Sequence, residues 1–271
     1  MKRVAVSGGF DDLRSRDVRF LERAAGYGSL IVLLWSDRLI AAQAGHPPRF
    51  PFAERHYLLE SLRFVSQVVP VDQLASGGRP EEIPIQPDAL LVDGAQDNSS
   101  LRQACLERGI DYAVIREEDL AGFPVPAPNS PGFAGRKKVV VTGCFDWLHS
   151  GHVRFFEEAS QLGDLYVVVG SDANVRLLKG EGHPLFGQAE RRYMVAAVKY
   201  VKQALISSGH GWMDAEPEVD LLKPDIYAVN QDGDKPEKRE FCAAHGLEYA
   251  VLKRVPKESL PRRESSILRG F

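Results

Sequence analysis

The sequence has little of three features that would each place a protein in a particular class. It has three cysteines in 271 residues, at Cys105, Cys144 and Cys242, too few and too widely spaced for a disulfide framework or a zinc site. The formal net charge of −3 gives no reason to expect nucleic acid as a partner. The longest apolar run, Leu30–Trp35, is far too short to cross a bilayer. We therefore expect a cytoplasmic protein with reduced thiols and with neither nucleic acid nor a membrane as a partner.

What the sequence does contain is a long internal repeat. The stretch GCFDWLHSGHVRFFEEA, at positions 143–159, has a near-copy, GGFDDLRSRDVRFLERA, at positions 8–24. The two align without a gap, and nine of the fifteen positions from Gly8 to Glu22 are identical. Further matching segments follow in the same order, so we expect one fold used twice.

A stretch rich in proline and glycine separates the two copies. Positions 122–135, GFPVPAPNSPGFAG, include four prolines and three glycines, a composition typical of a linker. We therefore predict a first domain over positions 1–121 and a second domain over positions 136–271.

Each copy alternates short apolar strands with amphipathic helices. In the second copy the β-branched run Val139–Thr142 reads as a buried strand, and after a glycine turn a helical pattern runs to Gly163. This alternation continues through the copy. It predicts an α/β protein with two tandem Rossmann-like, doubly wound, parallel-sheet domains. Ligands of such folds bind beyond the carboxyl ends of the strands, which is where the glycine turn should lie.

Two histidines follow the glycine turn of the second copy. His149 and His152 are three residues apart at the predicted start of a helix, so both can face the same way. A helix N-terminus offers N–H groups and a partial positive charge, which suit a phosphate group. A single histidine at such a place is more often a polar cap. We predict no metal site, because no third histidine or cysteine is placed to complete one.

The ordered segment GCFDWLHSGH resembles the signature of the nucleotidyltransferase superfamily with the H-x-G-H motif. Its members include choline-phosphate, ethanolamine-phosphate and glycerol-3-phosphate cytidylyltransferases and several adenylyltransferases. Three further segments match in order: LLKGEGHP with Lys179, AERRY with Arg191, and RESSILRG near the end. The resemblance covers the second copy and, more weakly, the first. The tandem arrangement resembles ethanolamine-phosphate cytidylyltransferase, although there the degraded copy comes second.

The resemblance implies a reaction and a set of residues. A phosphate oxygen of the acceptor would attack the α-phosphorus of a nucleoside triphosphate and release pyrophosphate, with Mg²⁺ as the counter-ion. The implied catalytic residues are His149, His152, Lys179 and Arg269. The implied nucleotide-binding residues are Gly143, Cys144, Phe145, Gly151, Arg191, Asn230, Asp232, Arg263, Ser265 and Ser266.

The acceptor is expected to contact Lys179, Asp146 and Trp212. A carboxylate with an aromatic face would suit a cationic head group such as ethanolamine or choline. However, Asp146 has a counterpart in Asp11 of the first copy, so it could simply hold the turn, and Trp212 could be a packing residue. We predict transfer from CTP to a phosphorylated small alcohol resembling phosphoethanolamine. The alternatives are ATP-dependent adenylyl transfer to a sugar or polyol phosphate, and a non-catalytic nucleotide-binding or scaffold protein.

The first copy lacks the residues expected to carry the chemistry. Arg14 and Asp17 replace the two histidines, and we place Ala42 opposite Lys179. A carboxylate at Asp17 would repel phosphate. We therefore predict a catalytically silent first domain that acts as a packing partner, in a monomeric chain that imitates the homodimer common in this superfamily.

Overall fold

The structure, a computed structural model, describes residues 1–72, 85–125 and 135–268, apart from the side chains of Ser266 and Ile267. The chain divides into two compact units, Met1–Gly122 and Phe123–Phe271. Arg269, the Ser266 side chain and positions 126–134 of the predicted linker lie outside the described residues. In the ranges that are described, no helix is long and apolar enough to span a membrane.

The first unit is a five-stranded parallel sheet flanked by helices. Its elements in chain order are β1 (Arg3–Gly8), α1 (Ser15–Ala25), β2 (Ser29–Trp35), α2 (Asp37–Ala44), α3 (Phe52–Glu60), β3 (Val65–Val71), β4 (Ala89–Asp93), α4 (Ser99–Glu107) and β5 (Asp111–Ile115). The strands lie in the order β3-β2-β1-β4-β5, and each neighbouring pair is parallel. The strand order therefore reverses between β1 and β4, the point at which such sheets bind ligands.

The second unit repeats this arrangement strand for strand. Its elements are β6 (Lys138–Gly143), α5 (Ser150–Leu162), β7 (Asp164–Val169), α6 (Asp172–Lys179), α7 (Gln188–Ala196), β8 (Val201–Ile206), α8 (Glu216–Leu222), β9 (Ile226–Asn230), α9 (Pro236–Ala244), β10 (Glu248–Leu252) and α10 (Ser265–Leu268). The strand order is β8-β7-β6-β9-β10, again all parallel. The predicted class, α/β with two tandem Rossmann-like domains, is confirmed.

Burial on both faces explains the apolar central strands. Val139, Val140 and Val141 of β6 are all 0 % exposed. Val140 packs on one face with Val219 of α8 and Cys242 of α9, while α5 packs against β6 and β7. Because helices cover both faces, neither side of the strand is free to carry a polar residue. The strand becomes polar only where it ends, at the turn that leads to α5.

The structure corrects one alignment between the copies. Helices α2 and α6 are both eight residues long, and each is followed by a glycine with positive φ, Gly45 at 77° and Gly180 at 83°. Lys179 therefore corresponds to Ala44, and the predicted pairing with Ala42 is wrong. The extra residues that shift the alignment lie beyond these helices, in the loops that follow.

Candidate active site

His149 is the N-cap residue of α5, at the carboxyl end of the sheet. Its Nδ1 accepts a hydrogen bond from the backbone N–H of Gly151 at 3.1 Å. Its Nε2 lies 3.2 Å from the hydroxyl oxygen of Ser265. Since Nδ1 accepts, the ring proton resides on Nε2, which donates to Ser265. The fold thus joins two of the predicted site residues from segments 116 positions apart.

His152 lies one helical turn further along and stacks on His149. The two ring centroids are 3.9 Å apart and the planes are inclined by 22°. The Phe145 ring packs edge-on against His152, with centroids 5.2 Å apart. The Nδ1 atom of His152 is buried and has no hydrogen-bond partner among the described residues. The imidazole also interacts with the Trp147 backbone, which raises its pKa against the larger effect of burial.

Both imidazoles are neutral at pH 7. Burial lowers the pKa of His149 to about 3, and the charges of Arg254 and Arg263 act in the same direction. Burial also lowers the pKa of His152 well below its usual value, helped by His149, Arg254 and Lys179. A neutral imidazole still offers one N–H donor. The rings therefore act as hydrogen-bond donors, while the positive charge of the site comes from lysine and arginine.

Gly143 and Gly151 lie where neighbouring atoms leave little room for a side chain. A Cβ atom on Gly151 would lie 3.0 Å from the backbone oxygen of Arg263 and 3.0 Å from the ring of His149. A Cβ atom on Gly143 would lie 2.8 Å from the Phe145 ring. Phe145 itself has φ of 51°, in the left-handed region. The turn therefore brings backbone and rings into contact in a way that side chains at these positions would prevent.

Lys179, the last residue of α6, places a positively charged side chain near this turn. The residue is exposed, and its charge acts on both His152 and Cys144. Burial raises the pKa of the Cys144 thiol despite this charge and that of Arg191. Cys144 is therefore a neutral thiol, and the polar chemistry of the turn belongs to the histidines and Lys179.

Arg254 is a further cation of the site that sequence analysis did not select. It lines two neighbouring pockets, one with Ser150 and Gly151 at the start of α5, and one with Asn230 and Asp232 after β9. Its side chain is 12 % exposed. No motif surrounds it in the sequence. The available signal was its place at the end of the apolar segment EYAVLKR, positions 248–254, which lies at the edge of the sheet where ligands bind.

Comparison with known proteins agrees with this geometry. The family model described as cytidylyltransferase-like matches residues 140–242, within the second unit. An FAD synthase from Ferroglobus placidus is 38 % identical over 125 residues, which cover 45 % of this chain and 78 % of that protein. The chain belongs to the cytidylyltransferase-like family of nucleotidyltransferases. A bifunctional protein HldE from Geobacter sulfurreducens is 44 % identical over 169 residues, which cover 61 % of this chain but 33 % of that protein.

A solved structure also resembles the chain. It is a lipopolysaccharide core biosynthesis protein from Thermoplasma volcanium, 30 % identical, covering 43 % of this chain and 94 % of that one with a TM-score of 0.37.

Arg191 of this nucleotidyltransferase is engaged by protein groups. It is 1 % exposed, and its guanidinium donates to the backbone oxygens of Phe186, Cys144 and Gly170 and to the Asp172 carboxylate, at 2.7–2.8 Å. In the first unit Arg55 makes the same set of bonds, to Phe50, Gly9, Trp35 and Asp37. A network shared with the copy that lacks the histidines belongs to the architecture of the loop. The structure thus engages Arg191 with protein, where sequence analysis predicted a nucleotide contact.

Asp146 also has a counterpart in the first unit, Asp11, that makes the same kind of contact. Its Oδ1 accepts hydrogen bonds from the backbone N–H groups of Leu185 and Phe186, at 2.7 and 3.0 Å. Asp11 of the first unit accepts from the corresponding loop, residues 49–50, at 2.7 and 2.8 Å. Asp146 is 4 % exposed, so its carboxylate holds the loop that follows α6. The alternative interpretation, that Asp146 holds the turn, therefore has direct structural support.

The remaining predicted residues lie on three other segments. Asn230 ends β9, and its side chain accepts from the Gly233 backbone N–H at 2.9 Å. Asp232 forms ion pairs with Arg254 at 2.9 Å and with Arg262 at 3.7 Å. Trp212 lies in a short 3₁₀ turn, and its residue surface is 54 % exposed. Of these, Asp232 is directly tied to the cations of the site.

The corresponding region of the first unit carries a different set of charges. Arg16 donates to Asp93 at 3.0 Å and to Glu117 at 2.6 Å. The matching positions of the second unit hold Gly151, Asn230 and Arg254. Asp17 accepts from the backbone N–H of Arg14 at 2.8 Å and so caps α1. The first unit thus fills this region with its own ion pairs.

Magnesium would have to be held mainly by the nucleotide. In the part of the chain that the structure describes, no group of three or more histidine, cysteine or acidic side chains is arranged to hold a metal ion. Mg²⁺ commonly keeps its waters and binds substrate phosphates with few protein ligands.

Proposed function

We propose that the second domain transfers a nucleotidyl group from a nucleoside triphosphate to a small phosphorylated acceptor and releases pyrophosphate. The observation that carries the proposal is the pair of stacked, neutral imidazoles at the N-terminus of α5, next to Arg254. A helix N-terminus attracts phosphate, the two rings offer N–H donors, and the nearby cations offset the charge of a triphosphate.

The chemistry needs no covalent intermediate. An oxygen of the acceptor phosphate forms a bond to the α-phosphorus, and the bond between that phosphorus and the bridging oxygen of pyrophosphate breaks. Pyrophosphate leaves with the electron pair. The protein therefore has to align the two phosphates and stabilise charge on the oxygens in the transition state. Bound Mg²⁺ would supply further positive charge to the leaving phosphates.

We assign roles by position. His149 and His152 would donate to oxygens around the α-phosphorus, because they lie at the helix start; for His149, a phosphate oxygen would replace the Ser265 hydroxyl as the acceptor of the Nε2–H. Lys179, whose charge reaches His152, would bridge the acceptor phosphate and the α-phosphate. Arg254 and Arg263, whose charges reach His149, would bind the β- and γ-phosphates.

We propose ATP as the donor. The relative of which this chain covers 78 % is named as an FAD synthase, and FAD contains an adenylyl unit. Arg191, whose AERRY segment resembles that of the choline-phosphate and ethanolamine-phosphate cytidylyltransferases, is engaged by backbone oxygens in the same way as Arg55 of the first unit. CTP is the second candidate, because the family model that matches residues 140–242 is described as cytidylyltransferase-like. A phosphorylated alcohol, a sugar phosphate and a flavin phosphate are all acceptors of the required class.

The test is pyrophosphate release by the purified full chain with Mg²⁺. ATP and CTP are each offered with flavin mononucleotide, phosphoethanolamine, phosphocholine, glycerol 3-phosphate and several sugar 1-phosphates. We expect release that requires ATP and one acceptor and that is lost in His152→Ala. His245→Ala is the matched control, since His245 lies after α9, outside the site. If nucleotide binds but no pairing releases pyrophosphate, the transferase proposal fails and a binding role takes its place.

A further inference from the structure

Arg254 has an unusual backbone conformation, held by one contact. Arg254 lies two positions after β10 and has φ of 49°. Residues other than glycine seldom adopt this left-handed region. The Arg254 backbone N–H donates to Oε2 of Glu158 at 2.9 Å. Glu158 belongs to α5, the helix whose N-terminus carries the histidines. The backbone of Arg254 is therefore tied to the histidine helix through the Glu158 carboxylate.

A second residue of α5 completes this clamp. Arg154 lies 3.0 Å from the other carboxylate oxygen of Glu158, and its Nε donates to the backbone oxygen of Val255 at 2.9 Å. The side chains of Arg154 and Glu158 are only 20 % and 13 % exposed. Partly buried, charge-assisted hydrogen bonds of this kind are stronger than surface pairs. The backbone N–H of residue 254 and the backbone oxygen of residue 255 are thus both hydrogen-bonded to side chains of α5.

The clamp directs the Arg254 guanidinium toward the site. The guanidinium bonds to Asp232 at 2.9 Å, and the residue lines the pocket at Ser150 and Gly151. Its charge helps to lower the pKa of both His149 and His152. Asp232 is 54 % exposed, so an incoming phosphate could take its place as the partner of the guanidinium.

The first unit shows that this clamp is not a requirement of the fold. There Arg23 stands at the position of Glu158, and Glu117 at the position of Arg254. Arg23 pairs with Asp119 at 3.1 Å, and Glu117 pairs with Arg16. The segment after the last strand is fastened to the first helix in both units, but only the unit with the histidines does so in a way that presents an arginine.

We propose that Glu158 is a positioning residue for nucleotidyl transfer, which acts by holding the backbone of Arg254 so that its guanidinium meets the β- and γ-phosphates. This inference rests on the function proposed above. Glu158 itself touches neither nucleotide nor acceptor. Without its carboxylate the Arg254 backbone would relax toward the common extended region, and the guanidinium would move away from the helix start.

The test combines two substitutions with a matched control. Glu158→Ala removes the acceptor of the Arg254 N–H, Glu158→Gln keeps an acceptor oxygen, and Glu248→Ala removes an exposed carboxylate at the start of β10, which pairs with Lys137. The readouts are kcat and KM for the nucleotide, the Kd for inorganic tripolyphosphate by calorimetry, and Tm. We expect Glu158→Ala to weaken tripolyphosphate binding and lower kcat/KM about tenfold, the scale of one charge-assisted contact. Glu158→Gln should recover most of the loss, and Glu248→Ala should resemble the wild type.

A double variant separates positioning from a general effect on the fold. If Glu158 acts through Arg254, adding Glu158→Ala to Arg254→Ala should cause no further loss. Additive losses would overturn the proposal, and so would a Glu158→Ala variant with wild-type tripolyphosphate binding. If Glu158→Ala does not fold, Glu158→Asp takes its place, because the shorter carboxylate falls short of the N–H.

The outcomes also separate this inference from the proposed function. If the wild type releases pyrophosphate and Glu158→Ala is equally active, the proposed function stands and the positioning role is overturned. A wild type that binds tripolyphosphate in a Glu158-dependent way without turnover would support the positioning of Arg254 and overturn the transferase function. A wild type that shows neither binding nor turnover would overturn both.

Discussion

The imidazole rings of His149 and His152 stack with their centroids 3.9 Å apart. Two protonated rings at this distance would repel each other strongly in a buried setting. The stack therefore requires at least one neutral ring, and the low pKa values of both residues agree with two. The site therefore brings two imidazole rings together as N–H donors, at a separation at which two positively charged rings would repel each other strongly.

This pair predicts how stability depends on pH. An unfolded chain protonates each imidazole near pH 6.5, whereas folded His149 stays neutral down to about pH 3. Because the unfolded state binds more protons in that window, the free energy of unfolding should fall as the pH drops below 6.5. The slope is about 1.4 kcal/mol per pH unit for each fully affected ring. Urea unfolding at several pH values should show a smaller slope for His149→Asn than for the wild type. Equal slopes in the two proteins would mean that His149 titrates normally in the folded state.

The same substitution separates the two roles of His149. Asparagine is a favourable N-cap residue, so His149→Asn should keep α5 capped, and Tm should change little. The N–H donor near the α-phosphorus would be displaced, and removing one such donor typically lowers kcat by about 10²–10³-fold. Pyrophosphate release measured beside circular dichroism distinguishes these effects. A variant with full activity would show that His149 serves the helix alone.

Arg191 and Arg55 should behave alike when removed. Each replacement by alanine leaves three backbone oxygens without their donor, which should lower the free energy of unfolding of its own unit by about 3 kcal/mol. Lysine should not rescue either position, because it cannot span the same set of acceptors. Thermal unfolding followed by calorimetry would measure both. If Arg191→Ala instead kept wild-type stability and changed the preference between ATP and CTP, the result would support the predicted contact between Arg191 and the nucleotide.

The charge pattern of the first unit predicts a single nucleotide site in the chain. Arg16 there is bound to Asp93 and Glu117, whereas the matching residues of the second unit include Gly151 and Arg254. Isothermal calorimetry with the nucleotide and Mg²⁺ should give one site per chain. Arg254→Ala should weaken that site, and Arg16→Ala should leave its affinity unchanged. A stoichiometry of two would refute the prediction of a single nucleotide site.

Much of this protein could be predicted from its sequence because the informative contacts are local. The buried strand before Gly143, the helix that begins after His149 and the repeat at positions 8–24 all follow from the order of neighbouring residues. Hydrophobic periodicity and turn residues act over short segments. They are therefore sufficient to predict the parallel α/β fold, its duplication and the position of the histidine pair.

Contacts between distant segments required the tertiary structure. Glu158 and Arg254 are 96 positions apart, and no motif marks either residue. Arg191 resembles a family residue in sequence, yet its burial and its four bonds to protein groups are fixed by loops that meet only in the fold. The neutral state of His149 likewise depends on burial, which a sequence does not give. The sequence by itself determined which elements form and where the chemistry begins, whereas folding decided which charges are free to meet a ligand, because burial and long-range hydrogen bonds set the availability of each group.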